Sequence, residues 1–254
     1  IQNDVYGEMI LTLAPIYFDE RFVHLRTRDH EALVAHLAKY CARSISQPDA
    51  GLWEVRNGWQ EHSFTNLMCW AGLERTSRIQ NHNYLKDLSF DVTNARDSAI
   101  VAIENATQDG SLRNGPADAS FDAALSLATI LRLPRDQICL ATVRDIQKHL
   151  ALGTTKSTSS FFYRYVRKDD FGKPGAAFVI CSFWVAQALA KLGHRDEARN
   201  ILEDVVQAAN HVGLLSEHYQ PLSRTQLGNF PQAYSHVGLI NAAFAVSPPW
   251  SEVL

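Results

Sequence analysis

The sequence predicts an all-α protein built from αα-hairpins, and three observations carry that reading. Apolar residues recur at a spacing nearer 3.6 than 2 along almost the whole 254-residue chain, with hardly any of the alternation a half-buried strand needs. Clusters of Gly, Pro, Asp and Ser cut the chain into helix-length segments. Those segments are in turn apolar all round or apolar on one face, as expected when inner and outer helices pair as hairpins.

Each element follows from its own residues. Asp4 to Phe18 opens with Val5, Met9, Leu11, Leu13 and Ile16, and Pro15 is expected to kink or end it. His30 to Ser44 places Leu33, Val34, Leu37 and Tyr40 on one stripe. Pro48-Asp49-Ala50-Gly51 supplies turn chemistry. Ser63 to Ile79 follows, with Thr65 and Asn66 near its start as candidates to face a cleft. Asp87 to Ala106 stops at the breaker Gln108-Asp109-Gly110-Ser111. Ala119 to Leu131 and Arg135 to Leu152 lie either side of Pro134, which suits a helix start. An irregular stretch from Gly153 to Gly175 holds Phe161-Phe162-Tyr163-Arg164-Tyr165, too aromatic for a disordered linker. Ala176 to Leu192 reads as a central buried helix, Arg195 to Asn210 as an outer one, and Phe230 to Val246 closes the series. About nine helices result; if their hairpins close in a ring, the inner ones form a barrel and the longer loops gather at one mouth.

Composition narrows the function. With 46% hydrophobic residues and 10% aromatics the chain can bury a substantial core. A net charge of −3 with scattered Lys and Arg gives no basic field, so no nucleic-acid partner is expected. No apolar run reaches membrane-spanning length, since Ser182, Gln187 and Lys191 interrupt Phe178 to Leu192. Cys41, Cys69, Cys139 and Cys181 sit inside helical apolar patterns without a CxxC pair, which predicts buried reduced thiols, no metal and a cytoplasmic setting. The absence of GxGxxG, P-loop, HExxH and GxSxG motifs leaves no cofactor to expect. The first residue is Ile1 rather than Met, so the chain reads as a fragment or processed product.

Two loop acids stand out. Glu54 follows Trp53 in Pro48-Asp49-Ala50-Gly51-Leu52-Trp53-Glu54-Val55-Arg56, where indole contact would desolvate the carboxyl and raise its pKa toward a general acid's range. The alternative is a solvated acid pairing with Arg56. Glu217, in Leu214-Leu215-Ser216-Glu217-His218-Tyr219, is again flanked by aromatic and hydroxyl groups; the alternative is a helix-flanking acid with a local hydrogen bond. A carboxyl pair of this kind is what glycosidic hydrolysis needs, one to protonate the leaving oxygen and one to activate water or attack the sugar. Arg164 offers a donor fork for sugar hydroxyls, against a salt bridge to Asp169 or Asp170. His236 and His62 read more simply as satisfied interior histidines.

The stretch around Glu54, then His62-Ser63-Phe64-Thr65, Met68-Cys69-Trp70, Cys181-Ser182-Phe183-Trp184 and Leu227-Gly228-Asn229-Phe230-Pro231-Gln232-Ala233-Tyr234-Ser235-His236, together resemble glycoside hydrolase family 15, the glucoamylases, glucodextranases and bacterial trehalases. The resemblance implies an (α/α)6 barrel and inverting attack on a terminal α-glucosyl bond of a neutral sugar. It places the general acid on Glu54 and the general base on Glu217. Leu52, through its carbonyl, Trp53, Arg164 and Tyr165 fall on the substrate-binding positions. An inverting pair predicts carboxyls roughly 6.5–9.5 Å apart.

Val55 stands where fungal glucoamylases carry a second acid contacting the leaving sugar. The segments match the last nine or so helices of such a barrel. The first helices, the β-sandwich common in bacterial members and an Arg-Asp pair that holds the nonreducing glucose are therefore expected in a longer protein. The leading expectation is glucose release from oligo- or polysaccharide, with trehalase as the alternative and a non-catalytic carbohydrate-binding fragment as the second.

Overall fold

Pro15 divides the first apolar stretch as expected: α1 (Val5–Leu13) ends before it, and Pro15 becomes the first residue of the short α2 (Pro15–Phe18). The structure is a computed structural model that describes residues 1–56, 58–153, 159–169 and 172–253. Among these the chain is predominantly helical. It divides into two units, Ile1–Gln108 with Leu112–Ala119, and Asp109–Ser111 with Ser120–Leu254.

In the first unit a 3₁₀ turn (Glu20–Leu25) leads to α3 (Arg28–Ser44), whose cap Thr27 accepts from the His30 amide at 3.3 Å. α4 (Ser63–Asn81) is buried along most of its length and packs against α1, α3 and α5 (Val92–Asn105). Ile10, Tyr17, Val34, Leu37, Cys41, Cys69 and Leu73 form the core between them. α5 begins later than the expected Asp87 because Asp91 accepts from the Thr93 and Asn94 amides and so fixes the start. Short strands β1 (Thr107–Gln108) and β2 (Ser111–Leu112) flank the turn at Asp109 and Gly110, both at positive φ, where a breaker is expected.

The second unit departs from expectation where Ala119 to Leu131 should be one helix. Asp122 caps a 3₁₀ turn (Ala123–Ser126) by accepting from the Ala124 amide at 2.9 Å, and only α6 (Leu127–Ile130) follows before Arg132 turns the chain at φ +67°. α7 (Asp136–His149) is next; Ala151 beyond it bridges to Phe162 instead of extending the helix. Ala177–Phe178 is β3, not helix, and α8 (Val179–Lys191) is the buried central helix predicted, covered by α7, α9 (Arg195–Val206) and α10 (Ala233–Val246). β4 (His218–Gln220) lies between β3 and β5 (Thr225–Leu227), antiparallel to both, with Phe178 opposite His218. α11 (Trp250–Val253) ends the described chain. All four cysteines are buried and free. No described helix is long and apolar enough to cross a membrane.

Candidate active site

The Glu54 turn is held by a buried aspartate. Asp49 has no exposed surface, and its carboxylate accepts from the Asn3 amide at 2.7 Å, the Gly51 amide at 3.1 Å and the Thr65 hydroxyl. The Gln2 side chain donates to the Gly51 carbonyl at 3.1 Å and the Ala50 amide to the Ile1 carbonyl at 2.9 Å, so residues 1–3 clasp the same turn. Gly51 sits at φ +63° beneath the His62 ring, where a Cβ would come within 2.8 Å of that ring. Thr65 and Asn66 are buried and bonded to Asp49 and Glu61 respectively, so both serve the scaffold and do not line a cleft.

The turn closes through the Glu54 amide on the Gly51 carbonyl (3.1 Å) and the Val55 amide on the Ala50 carbonyl (2.9 Å). Glu54 itself takes φ +53°, a left-handed geometry that costs a non-glycine residue about 1 kcal/mol. Its side chain is exposed, while Leu52 and Trp53 are half-buried. The Glu54 side chain is thus solvent-facing beside a half-buried indole. Strain kept at such a position is a recurrent mark of a functional turn.

In the second unit the sequence folds a denser group around Glu217. The Glu217 amide donates to the Asn229 carbonyl and its own carbonyl accepts from the Val179 amide, each at 3.0 Å, which ties the acid to the start of α8. Oε1 accepts from the Tyr234 hydroxyl at 2.6 Å and Oε2 from the Asn229 amide at 3.1 Å, with His218 Nδ1 3.6 Å from Oε2. Burial pushes the Glu217 carboxyl up, but the Tyr234 hydroxyl, the Asn229 amide, His218 and Arg164 together outweigh it and hold the group below its usual range. Burial and the bond to Glu217 raise Tyr234, while burial holds His218 low, toward its neutral form.

Phe178 organises the rings: its face lies along Tyr234 at 5.7 Å and the His218 ring meets it edge-on at 4.7 Å. The Arg164 guanidinium stands 5.9 Å from the same ring and 4.8 Å from that of Tyr165. Arg164 pairs with Asp169 at 2.7 Å, so the salt bridge considered from sequence is present; Asp170 lies outside the described residues. Tyr165 is fully buried and donates to Asp169 at 2.6 Å, its own pKa pushed up to about 12 chiefly by burial. Arg164, Tyr165 and Glu217 thus belong to one cluster. Sequence reasoning assigned no role to Phe178, His218 or Tyr234, although all three lie in or beside the matching motifs.

His236 is structural, as read from the sequence: Nδ1 lies 2.8 Å from the Gln232 carbonyl and Nε2 accepts from the Leu215 amide at 3.2 Å. That network assigns its proton to Nδ1. His62 is buried with Nε2 unpartnered. Among the described residues no group of His, Cys, Asp and Glu could hold a metal.

The family model for glycosyl hydrolases family 15 matches residues 1–244, and the chain belongs to that family. Trehalase from Mycolicibacterium smegmatis is 31% identical over 96% of this chain, and trehalase from Mycobacterium tuberculosis 29% over 96%. The chain spans 36% of the length of either. The glucoamylase of Saccharomycopsis fibuligera superimposes with a TM-score of 0.76 at 13% identity, covering 96% of this chain and 70% of that one, which shows the shared (α/α)6 fold.

Proposed function

We propose that this chain supplies the acid and base of an inverting trehalase. The observation that carries the hydrolytic reading is Glu217: a half-buried carboxylate held ionised by Tyr234 and Asn229, beside the Arg164 fork. The likeness to mycobacterial trehalases supports the substrate. Glu54, on its strained exposed turn, is assigned as the acid by the family motif.

In this reading Glu54 gives its proton to the oxygen bridging the two glucose units, so the leaving sugar departs as a neutral alcohol. Glu217 removes a proton from a water that attacks the anomeric carbon from the opposite face. One α-linked unit then leaves as α-glucose and the attacked unit emerges as β-glucose. Arg164 holds the hydroxyls of the attacked sugar through charge-assisted hydrogen bonds.

The test is glucose release from trehalose, maltose, isomaltose and dextran, by this chain and by a longer form of the relatives' length, with the first anomers followed by proton NMR. Equal α- and β-glucose from trehalose is the expected result. Release from maltose or dextran in preference to trehalose returns the glucoamylase reading. α-Glucose alone overturns inversion. Glu217→Gln and Glu54→Gln are each expected to lower kcat by at least roughly a thousandfold while the melting temperature is kept.

A further inference from the structure

The Glu217 carboxylate is gripped from two sides by groups that belong to different elements. From α10 the Tyr234 hydroxyl donates to Oε1 at 2.6 Å, shorter than a neutral hydroxyl bond and in the range of a charge-assisted one. From the turn after β5 the Asn229 amide donates to Oε2 at 3.1 Å. The turn reaches the carboxylate only because Gly228 precedes Asn229: Gly228 takes φ +76°, and a Cβ on it would stand 2.5 Å from Oε2 and 2.8 Å from His218 Nδ1. The Tyr234 ring is itself fixed, stacked against Phe178. Both carboxylate oxygens are therefore engaged, and glycine at 228 is what lets the Asn229 amide come this close.

We propose that Tyr234 is a positioning residue for the reaction: through its hydroxyl it fixes the rotamer of Glu217 and keeps that carboxylate unprotonated, ready to take a proton from water. The inference rests on the assignment of Glu217 as base. Tyr234 donates to the carboxylate, and the effect assigned to it is exerted through Glu217. The titratable and charged groups facing Glu217 are Tyr234 from α10, His218 from β4 and Arg164 from the segment ahead of β3. His218 is held toward neutrality by burial, and Arg164 is shared with Asp169, which leaves the tyrosine hydroxyl as the shortest contact the carboxylate has.

The experiment is a carbon-13 NMR titration of the Glu217 carboxyl in the chain, assigned by its disappearance in Glu217→Gln and repeated in Tyr234→Phe. The phenylalanine keeps the ring against Phe178 and deletes only the hydroxyl. Its titration midpoint is expected to rise by about one pH unit, the scale of a lost hydrogen bond to a carboxylate. Coincident midpoints overturn the proposal. A readout free of any variant is the Tyr234 phenol carbon of the unmodified chain, whose shift must follow the Glu217 midpoint; a flat response overturns it as well. Neither measurement needs turnover, so failure of the trehalase reading shows as absent glucose release while the titrations still decide the role of Tyr234. In a hydrolytically active form the acid limb of kcat is expected to move upward by the same interval, with KM within about twofold. A limb that stays in place removes Tyr234 from the mechanism.

Discussion

Asp49 and Thr65 meet in the interior of the first unit, the threonine hydroxyl 3.0 and 3.1 Å from the two oxygens of a carboxylate with no exposed surface. The same carboxylate receives the Asn3 and Gly51 amides, so the N-terminal segment and the Glu54 turn both depend on one side chain. Asp49→Ala leaves those donors buried without an acceptor, and a loss of about 3 kcal/mol in unfolding free energy is expected. Thr65→Val removes one donor and is expected to cost about 1 kcal/mol. Urea unfolding compares the two; equal midpoints would mean the turn is held by its backbone bonds alone.

The crossing of α1 and α4 makes a second prediction. Gly7 lies against the Met68 carbonyl so closely that a Cβ would overlap the oxygen, and a Cβ on Gly72 would come within 3.0 Å of the Gly7 Cα. Neither contact can relax, because both partners are backbone. Gly7→Ala is therefore expected to lower stability by about 3 kcal/mol, at the upper end of overpacking costs, despite the higher helix propensity of alanine. A melting temperature equal to the unmodified chain's would show that the helices separate freely.

These features differ in how far the sequence disclosed them. Pro15, the Asp49-Ala50-Gly51 turn and the Asp109-Gly110 breaker carry their geometry in residue type, and the structure places a helix boundary or turn at each. The all-round apolar pattern of α8 likewise predicts its burial. Ala119 to Leu131 misleads because Ala, Leu and Ile suit helix, 3₁₀ turn and loop core alike; the decisive residue is Asp122, whose cap and 3.7 Å approach to Arg167 are set by tertiary position. Around Glu217 the motif could be read but the clamp could not. Tyr234 is 17 residues away, and its hydroxyl reaches Oε1 only through the packing of α10 on α8. For Glu54 the positive φ of the turn has no single-residue signature in the sequence.

Asp4 makes stability depend on pH. It is buried, its Oδ1 has no hydrogen-bond partner, and burial, then Glu8 and Asp49, push its carboxyl from 3.8 up to about 7. With the folded pKa above the unfolded one, the folded state binds the proton more tightly. The contribution is present in full below about pH 4 and is lost as pH rises toward 7. Asp4→Asn keeps the neutral shape at every pH. Its gain over the unmodified chain is expected to be small at pH 4 and to grow to on the order of 4 kcal/mol by pH 7.5. Urea unfolding at the two pH values measures it, and a gain independent of pH would place the proton elsewhere.

Arg164 offers the sharpest test of the proposed sugar site. Its guanidinium is aligned by Asp169 at 2.7 Å and lies near both the Tyr165 and Phe178 rings, so the planar fork is oriented before any ligand arrives. A lysine at this position carries the charge but has neither the plane that packs on a ring nor the fixed pair of donors. Arg164→Lys is expected to weaken glucose binding, measured by calorimetry, about tenfold while leaving the melting temperature within a few degrees. Asp169→Asn should weaken binding less, because the guanidinium keeps its contacts with the Tyr165 and Phe178 rings and loses only the charge that aligns it. The reverse order would make Asp169 the ligand-facing group and Arg164 its support. Equal affinities in all three proteins would remove both residues from the sugar site.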